Sequence, residues 1–165
     1  ALLPIADRVL IGSQAHWNLR PLARLGHRVA FDPTLQWHFS PDRKHGFFPD
    51  TMGVYGMWDD APIAHNRKFS PRQYFETRTE DLLGLLPQAE EWMVDIATIR
   101  HLADMGFSLG DELAARGVEL AAWTLHDAGS EQTLVQLEAV CAAGASTVIA
   151  ANPAAVLAYL DAAAL

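Results

Sequence analysis

At 165 residues, the chain is long enough for one packed core and short for two. Hydrophobic residues make up 50% and charged residues 19%, which excludes a disordered polypeptide. A net charge of -8, with no basic run longer than a pair such as Arg43-Lys44, excludes a non-specific nucleic-acid binder.

In chain order, residues 8–13 form a short apolar run that predicts a buried strand. Leu19, Leu22 and Leu25 follow at three-residue spacing and predict a helix over 18–25, stopped by Gly26. Residues 28–32 predict a second strand and 92–96 a third. Residues 111–116 predict a helix that ends at Gly117, leading into a strand at 118–124. A helix over 130–143 places Leu134, Leu137, Val140 and Cys141 on one face and stops at Gly144. Residues 146–150 predict the last strand, and Pro153 suits the first turn of a final helix. The unit helix, glycine, strand recurs three times. The fold expected is α/β with parallel strands, either an open doubly wound sheet or a piece of a barrel.

Residues 33–71 break this rhythm. They are rich in Pro, Gly, His and aromatics, including Trp37, His38, Phe47, Phe48, Tyr55 and Trp58. A stretch of this length is expected to be functional, and its aromatic content predicts order. We expect a single domain over 1–165 with this excursion covering one end of the sheet, as a pocket wall or as a surface packed on a partner.

No membrane span is expected, because the most apolar stretch, 140–165, is interrupted by Gly144, Asn152, Pro153 and Asp161. The start lacks a basic region before a long apolar stretch, so no secretory leader is expected and a cytoplasmic location follows. The absent initiator Met fits either its removal or a start inside a longer protein. The single cysteine, Cys141, excludes an internal disulfide and reads as a small buried hydrophobe.

The last third carries a resemblance. Gly117-Val118-Glu119-Leu120-Ala121-Ala122-Trp123-Thr124-Leu125 resembles the seventh-strand motif of glycerophosphodiester phosphodiesterases, a Gly, a few apolar residues, then Trp-Thr-Val. Ala143-Gly144-Ala145-Ser146-Thr147-Val148-Ile149-Ala150-Ala151-Asn152-Pro153 is similar to the eighth strand and the proline after it, and Val9-Leu10-Ile11-Gly12-Ser13 to the fifth. Order and spacing agree across the three. The resemblance implies that the chain is the C-terminal half, strands five to eight, of a (β/α)8 TIM barrel. It implies a hydrolase that splits a glycerophosphodiester into an alcohol and glycerol 3-phosphate, in lipid metabolism. A divalent metal, Mg or Ca, would be held by the other half.

The family's catalytic residues lie mainly in its first half: a His-Arg-Gly, an acidic pair, a second His and a Glu. None of these motifs is present, so the catalytic residues are not assigned here. His27-Arg28 imitates His-Arg-Gly, but Val29 follows in place of Gly, and His27 precedes its strand, at the end where barrels do no chemistry.

Chemistry in such folds sits just after the strands. The candidates there are Ser13, Gln14 and His16 after the first strand, Asp32 after the second, His126 and Asp127 after the fourth, and Asn152 after the last. Of these, Ser13, Asp32 and His126, with Trp123 as a pocket wall or a core aromatic, are the substrate-binding residues we expect. His126 replaces the family's usual Asn, and Ala150-Ala151 replace its Thr-Asp. His16, Asp32, His38 and His126 lack the compact spacing of a metal set, and no metal ligand is expected in this chain. Asp95 reads either as a site carboxylate or as a cap on a following turn. Asp59-Asp60 reads as a solvated turn.

Two functions stay open. One is a phosphodiesterase whose catalytic half lies elsewhere, taking a small phosphodiester substrate. The other is a non-catalytic binding or self-assembly module on a barrel-derived scaffold. Half a barrel leaves open strand edges, so a partner is expected: the missing half-barrel or a second copy.

Overall fold

A computed structural model describes residues 8–34, 36, 70–126 and 129–162. They form β1 (Leu10–Ser13), α1 (His16–Arg24), β2 (Arg28–Phe31), α2 (Pro71–Leu85), β3 (Glu91–Asp95), α3 (Ile96–Asp104), α4 (Leu109–Ala114), β4 (Glu119–Leu125), α5 (Glu131–Ala142), β5 (Thr147–Ala150) and α6 (Pro153–Ala162). The five expected strands are all present, with ends moved by a residue or two; strands five to eight would be four, so β2 and β3 both stand between the matches to the fifth and the seventh strand, where the resemblance implies one. Most of the aromatic excursion, residue 35 and residues 37–69, lies outside the described residues.

The strands are all parallel and lie in the order β1-β2-β3-β4-β5. This order separates the two expected architectures. A doubly wound sheet reverses direction at a switch point. Here every crossover steps to the next neighbour in one direction, and right-handed crossovers of that kind put the helices on one face. The sheet curls as half of a (β/α)8 barrel does.

Residue alternation gives the sheet two different faces. Val29, Phe31, Trp92, Val94, Leu120 and Ala122 face the helices and form the centre of the core. Ala30 and Ala121 alternate with them and are fully buried, yet they stand outside that core, on the opposite face. Met93 and Gly12 share this second face. A Cβ on Gly12 would come within 2.4 Å of the Met93 Cε, so the glycine makes room for the methionine.

Four of the six described helices end alike. His27, Phe107, Val118 and Ala145 donate their backbone N–H to the carbonyls of Leu22, Leu102, Leu113 and Val140, at 3.1, 2.9, 3.0 and 3.0 Å. Each bond spans a glycine at positive φ, namely Gly26, Gly106, Gly117 and Gly144. This six-to-one closure satisfies a terminal carbonyl and turns the chain out of its helix. In three of the four cases it turns directly into a strand.

Two helices were not anticipated. Helix α2 starts at Ser70, whose hydroxyl accepts from Gln73 N–H at 3.3 Å while the Gln73 side chain accepts from Ser70 N–H at 3.1 Å. Its buried line runs Tyr74, Phe75, Arg78, Thr79, Leu82, Leu83, Leu86. The polar pair in the middle masks the apolar period. Arg78 is tolerated there because it pairs with Asp81 at 2.7 Å and lies over the Tyr74 ring. Helix α3 begins where the third strand was expected to continue, so Ile96 is its first residue.

Cys141 corrects an expectation. It is exposed, not buried. Thr133 and Val140 are the buried positions of α5, and Cys141 sits one residue, about 100° of helix rotation, beyond Val140 toward solvent. Among the described residues no helix is long and apolar enough to cross a membrane.

Glycines 110 and 84 test the packing with opposite signs. A Cβ on Gly110 would lie 2.3 Å from the Ala143 carbonyl oxygen and 2.7 Å from the Gly144 Cα, both backbone atoms. Gly110→Ala is expected to destabilise by about 1–3 kcal/mol. Gly84, within α2, has no atom within 4 Å of such a Cβ, so Gly84→Ala is expected to stabilise by about 0.5–1 kcal/mol. Urea midpoints at unchanged m-value would show both shifts.

Candidate functional site

The polar residues after the strands fall into two groups. The first caps β1 and β2. Asp32 is buried; its carboxylate accepts from the Gln14 amide at 3.1 Å, from Thr34 N–H at 2.9 Å, and from the Thr34 hydroxyl. Ser13 accepts from Ala15 N–H at 3.0 Å through its hydroxyl, and its carbonyl accepts from Asp32 N–H at 3.1 Å. Ser13 and Asp32 are therefore brought together and are engaged in shaping the turns.

His16 stands beside them at the start of α1, its ring edge-on to Trp17 and Phe31 at 5.2 and 6.2 Å. Burial, and then Arg20, lower its pKa below the ordinary histidine value, so it is neutral at pH 7. Its Nδ1 is buried without a hydrogen-bond partner.

The second group surrounds a cavity of about 280 Å³ at the C-terminal ends of β3 and β4. Asp95, Arg100, Trp123, Thr124, His126 and Gln136 supply its polar lining, with α3 and α5 as walls. Of the four expected substrate-binding residues, Trp123 and His126 line this cavity and Ser13 and Asp32 do not. Trp123 is half-buried, lies outside the hydrophobic core, and has a buried Nε1–H without a partner. It is a wall of the cavity.

Of the two readings of Asp95, the cap is what its hydrogen bonds show. Asp95 lines the cavity, and it caps α3 by accepting from Thr98 N–H at 2.8 Å and from the Thr98 hydroxyl. Arg100 and Gln136 were missed because they lie on helix faces, away from the strand ends. The period Ile96, Ile99, Leu102 ending at Gly106 was the available signal for α3, and it places Arg100 off the buried face.

Other candidates lie elsewhere. Asn152 accepts from Ala155 N–H at 3.1 Å and caps α6. His27 precedes β2, at the opposite end of the sheet from the cavity. His38, Asp59, Asp60 and Asp127 lie outside the described residues. Among the described residues no three His, Cys, Asp or Glu side chains are grouped so as to hold a metal ion. Asp95 does not fit Mg or Ca by itself, since such ions take several oxygen ligands and both Asp95 oxygens already serve Thr98.

A larger cleft of about 400 Å³ lies between the end of α2 and the entry to β4, lined by Leu83, Leu86, Pro87, Arg116 and Val118. It is at the N-terminal end of the strands, where barrel folds place stability rather than chemistry. The smaller cavity is therefore the better candidate. The N-terminal end also buries Glu91, in register beside Glu119 on β4. Burial, and then the Glu119 charge, raise the Glu91 pKa.

Comparison with protein-family models, with curated proteins and with solved structures gives no match to this chain.

Two substitutions probe these carboxylates. Asp95→Ala removes the cap of α3 and is expected to cost about 0.5–2 kcal/mol in urea unfolding, with Asp95→Asn retaining most of the stability. Glu91 is raised in the folded state, so the fold holds its proton more tightly than the unfolded chain does. Its contribution therefore falls as pH rises from the ordinary carboxylate range through the raised value. Glu91→Gln, which keeps an acceptor for Thr147, is expected to be more stable than the parent at pH 7. The gap should close on acidification, as followed by thermal melts from pH 7 to 4.

Proposed function

We propose that this chain supplies one side of the substrate pocket of a glycerophosphodiester phosphodiesterase-like phosphoric diester hydrolase. The catalytic His, Arg and acidic residues, and the Mg or Ca ion, come in this reading from the missing half-barrel. The observation that supports it is positional. Trp123 and Thr124 of the Trp-Thr motif, with His126 just beyond, border a cavity at the C-terminal ends of consecutive parallel strands, where barrel enzymes do their chemistry. The products would be an alcohol and glycerol 3-phosphate, formed by metal-activated water or a histidine acid–base pair.

A second reading is a non-catalytic self-assembly module. Among the described residues, β1 pairs only with β2 and β5 only with β4, and Ile149 and Leu157 are exposed at the β5 side. Open edges favour a further strand partner.

Release of glycerol 3-phosphate from a glycerophosphodiester separates the two. The phosphodiesterase reading expects no release by the 165-residue chain alone. It expects metal-dependent release by a longer gene product carrying a His-Arg-Gly and an acidic pair upstream, reduced about ten-fold or more in Trp123→Ala. Absence of those motifs upstream, or no release with Mg or Ca, would overturn it. Self-association of the isolated chain in sedimentation, without hydrolysis in any combination, is the outcome the second reading expects.

A further inference from the structure

We propose that the cavity between α3 and α5 is an oxyanion site in which the Arg100 guanidinium and the Trp123 indole N–H hold the phosphoryl group of a small organic phosphate. The proposal takes its location from the pocket reading above and deepens it by naming the residues that receive the charged group.

A guanidinium stays ionised at any pH a protein meets, so a partly buried one needs a partner. Arg28, Arg72 and Arg78 each pair with a carboxylate at 2.7 Å. Arg20 is half-buried and donates to the Leu85 carbonyl at 3.0 Å. Arg8, Arg24 and Arg116 are exposed. Arg100 is half-buried, lines the cavity, and has no hydrogen-bond or ion-pair partner among the described residues. Two carboxylates are near enough to share its surroundings. Asp95 lines the same cavity, but its oxygens serve Thr98. Asp104 shares an adjoining hollow with Arg100 without forming an ion pair.

The second observation is independent of charge. Trp123 Nε1–H is a donor only, is buried, and has no partner. Thr124 and Gln136 add neutral hydrogen-bonding groups to the same walls. A metal cation does not suit a guanidinium and an indole N–H, both of which only donate. A neutral polyol leaves the charge unanswered. An oxyanion meets both, and arginine is the side chain whose fork fits phosphoryl oxygens. The volume, about 280 Å³, is at the lower end for ligand pockets and limits the organic part to a few atoms.

The test is a titration of the 165-residue chain with glycerol 3-phosphate, inorganic phosphate and glycerol, followed by the indole N–H resonances in nuclear magnetic resonance spectra. Trp123→Phe identifies the Trp123 signal. A shift of that signal with glycerol 3-phosphate, none with glycerol, and affinity about ten-fold or more lower in Arg100→Gln is the expected result. Binding of inorganic phosphate at the same site also supports the proposal and assigns recognition to the phosphoryl group alone. Arg24→Gln, on the exposed end of α1, is expected to bind as the parent does. If Arg100→Gln does not fold, Arg100→Lys keeps the charge without the fork and should weaken binding several-fold. Equal affinity in the Arg100 variants, a silent Trp123 signal, or glycerol binding as well as its phosphate would overturn the proposal. Failed hydrolysis with this binding intact removes the phosphodiesterase reading only. Failed binding with hydrolysis intact removes only this one.

Discussion

A parallel strand cannot be reached from its neighbour without crossing the sheet, and the chain must leave each crossover helix at a sharp angle. The six-to-one bonds at Gly26, Gly117 and Gly144 make that exit. Each leads into a strand one place further along the sheet. Because the step never reverses, the helices share one side, and the carboxyl ends of the strands share one rim. Everything proposed for function depends on that rim. At these positive φ values a side chain would cost about 1–2 kcal/mol, and at Gly144 a second reason for glycine applies. Gly110 approaches so closely that a Cβ on Gly144 would lie 2.9 Å from its Cα.

β2 and β4 were the most legible strands, because their centres are buried on both faces and a glycine stands just before each. Val29-Ala30-Phe31 and Leu120-Ala121-Ala122 are apolar on both faces, as strands of a covered parallel sheet are. Helices α2 and α3 were hidden for different reasons. In α2 the buried stripe passes through Arg78 and Thr79, which no apolar period counts. In α3 the strand-like run into Ile96 obscured the point where Asp95 turns the chain into a helix. The misplaced burial of Cys141 has the same root. In α5 the buried positions include Thr133, which no apolar period counts, and one residue of phase beyond Val140 decides between core and solvent.

The candidate site was legible in part. His126, chosen for its place after a strand, Trp123, chosen through the Trp-Thr resemblance, and Asp95, at a strand end, line one cavity. Position along the chain could not say which polar groups are already engaged. Ser13, Asp32 and Asn152 look equally reactive in sequence, yet each has its side-chain oxygen occupied by a local backbone donor. Such bonds are the ordinary work of Ser, Asp and Asn at turns and helix starts. Arg100 shows the converse. Nothing in its neighbourhood along the chain marks it, and its interest comes from what three elements bring around it without neutralising it.

Location within the sheet then separates recognition from catalysis. The cavity is built on β3 and β4, neither of which is an outer strand among the described residues. A partner added at β1 or β5 would pair with those outer strands and leave the walls of the cavity as they are. The ligand recognition proposed between α3 and α5 therefore does not require barrel closure. Acid–base chemistry in the proposed reaction does, because the residues that would perform it are absent from the motifs this chain carries. In the reading proposed above, such a half-barrel keeps its pocket on its own and depends on another half for turnover. That asymmetry follows from the topology: recognition uses one β/α neighbour pair, whereas a catalytic centre on the barrel axis draws on several strands at once.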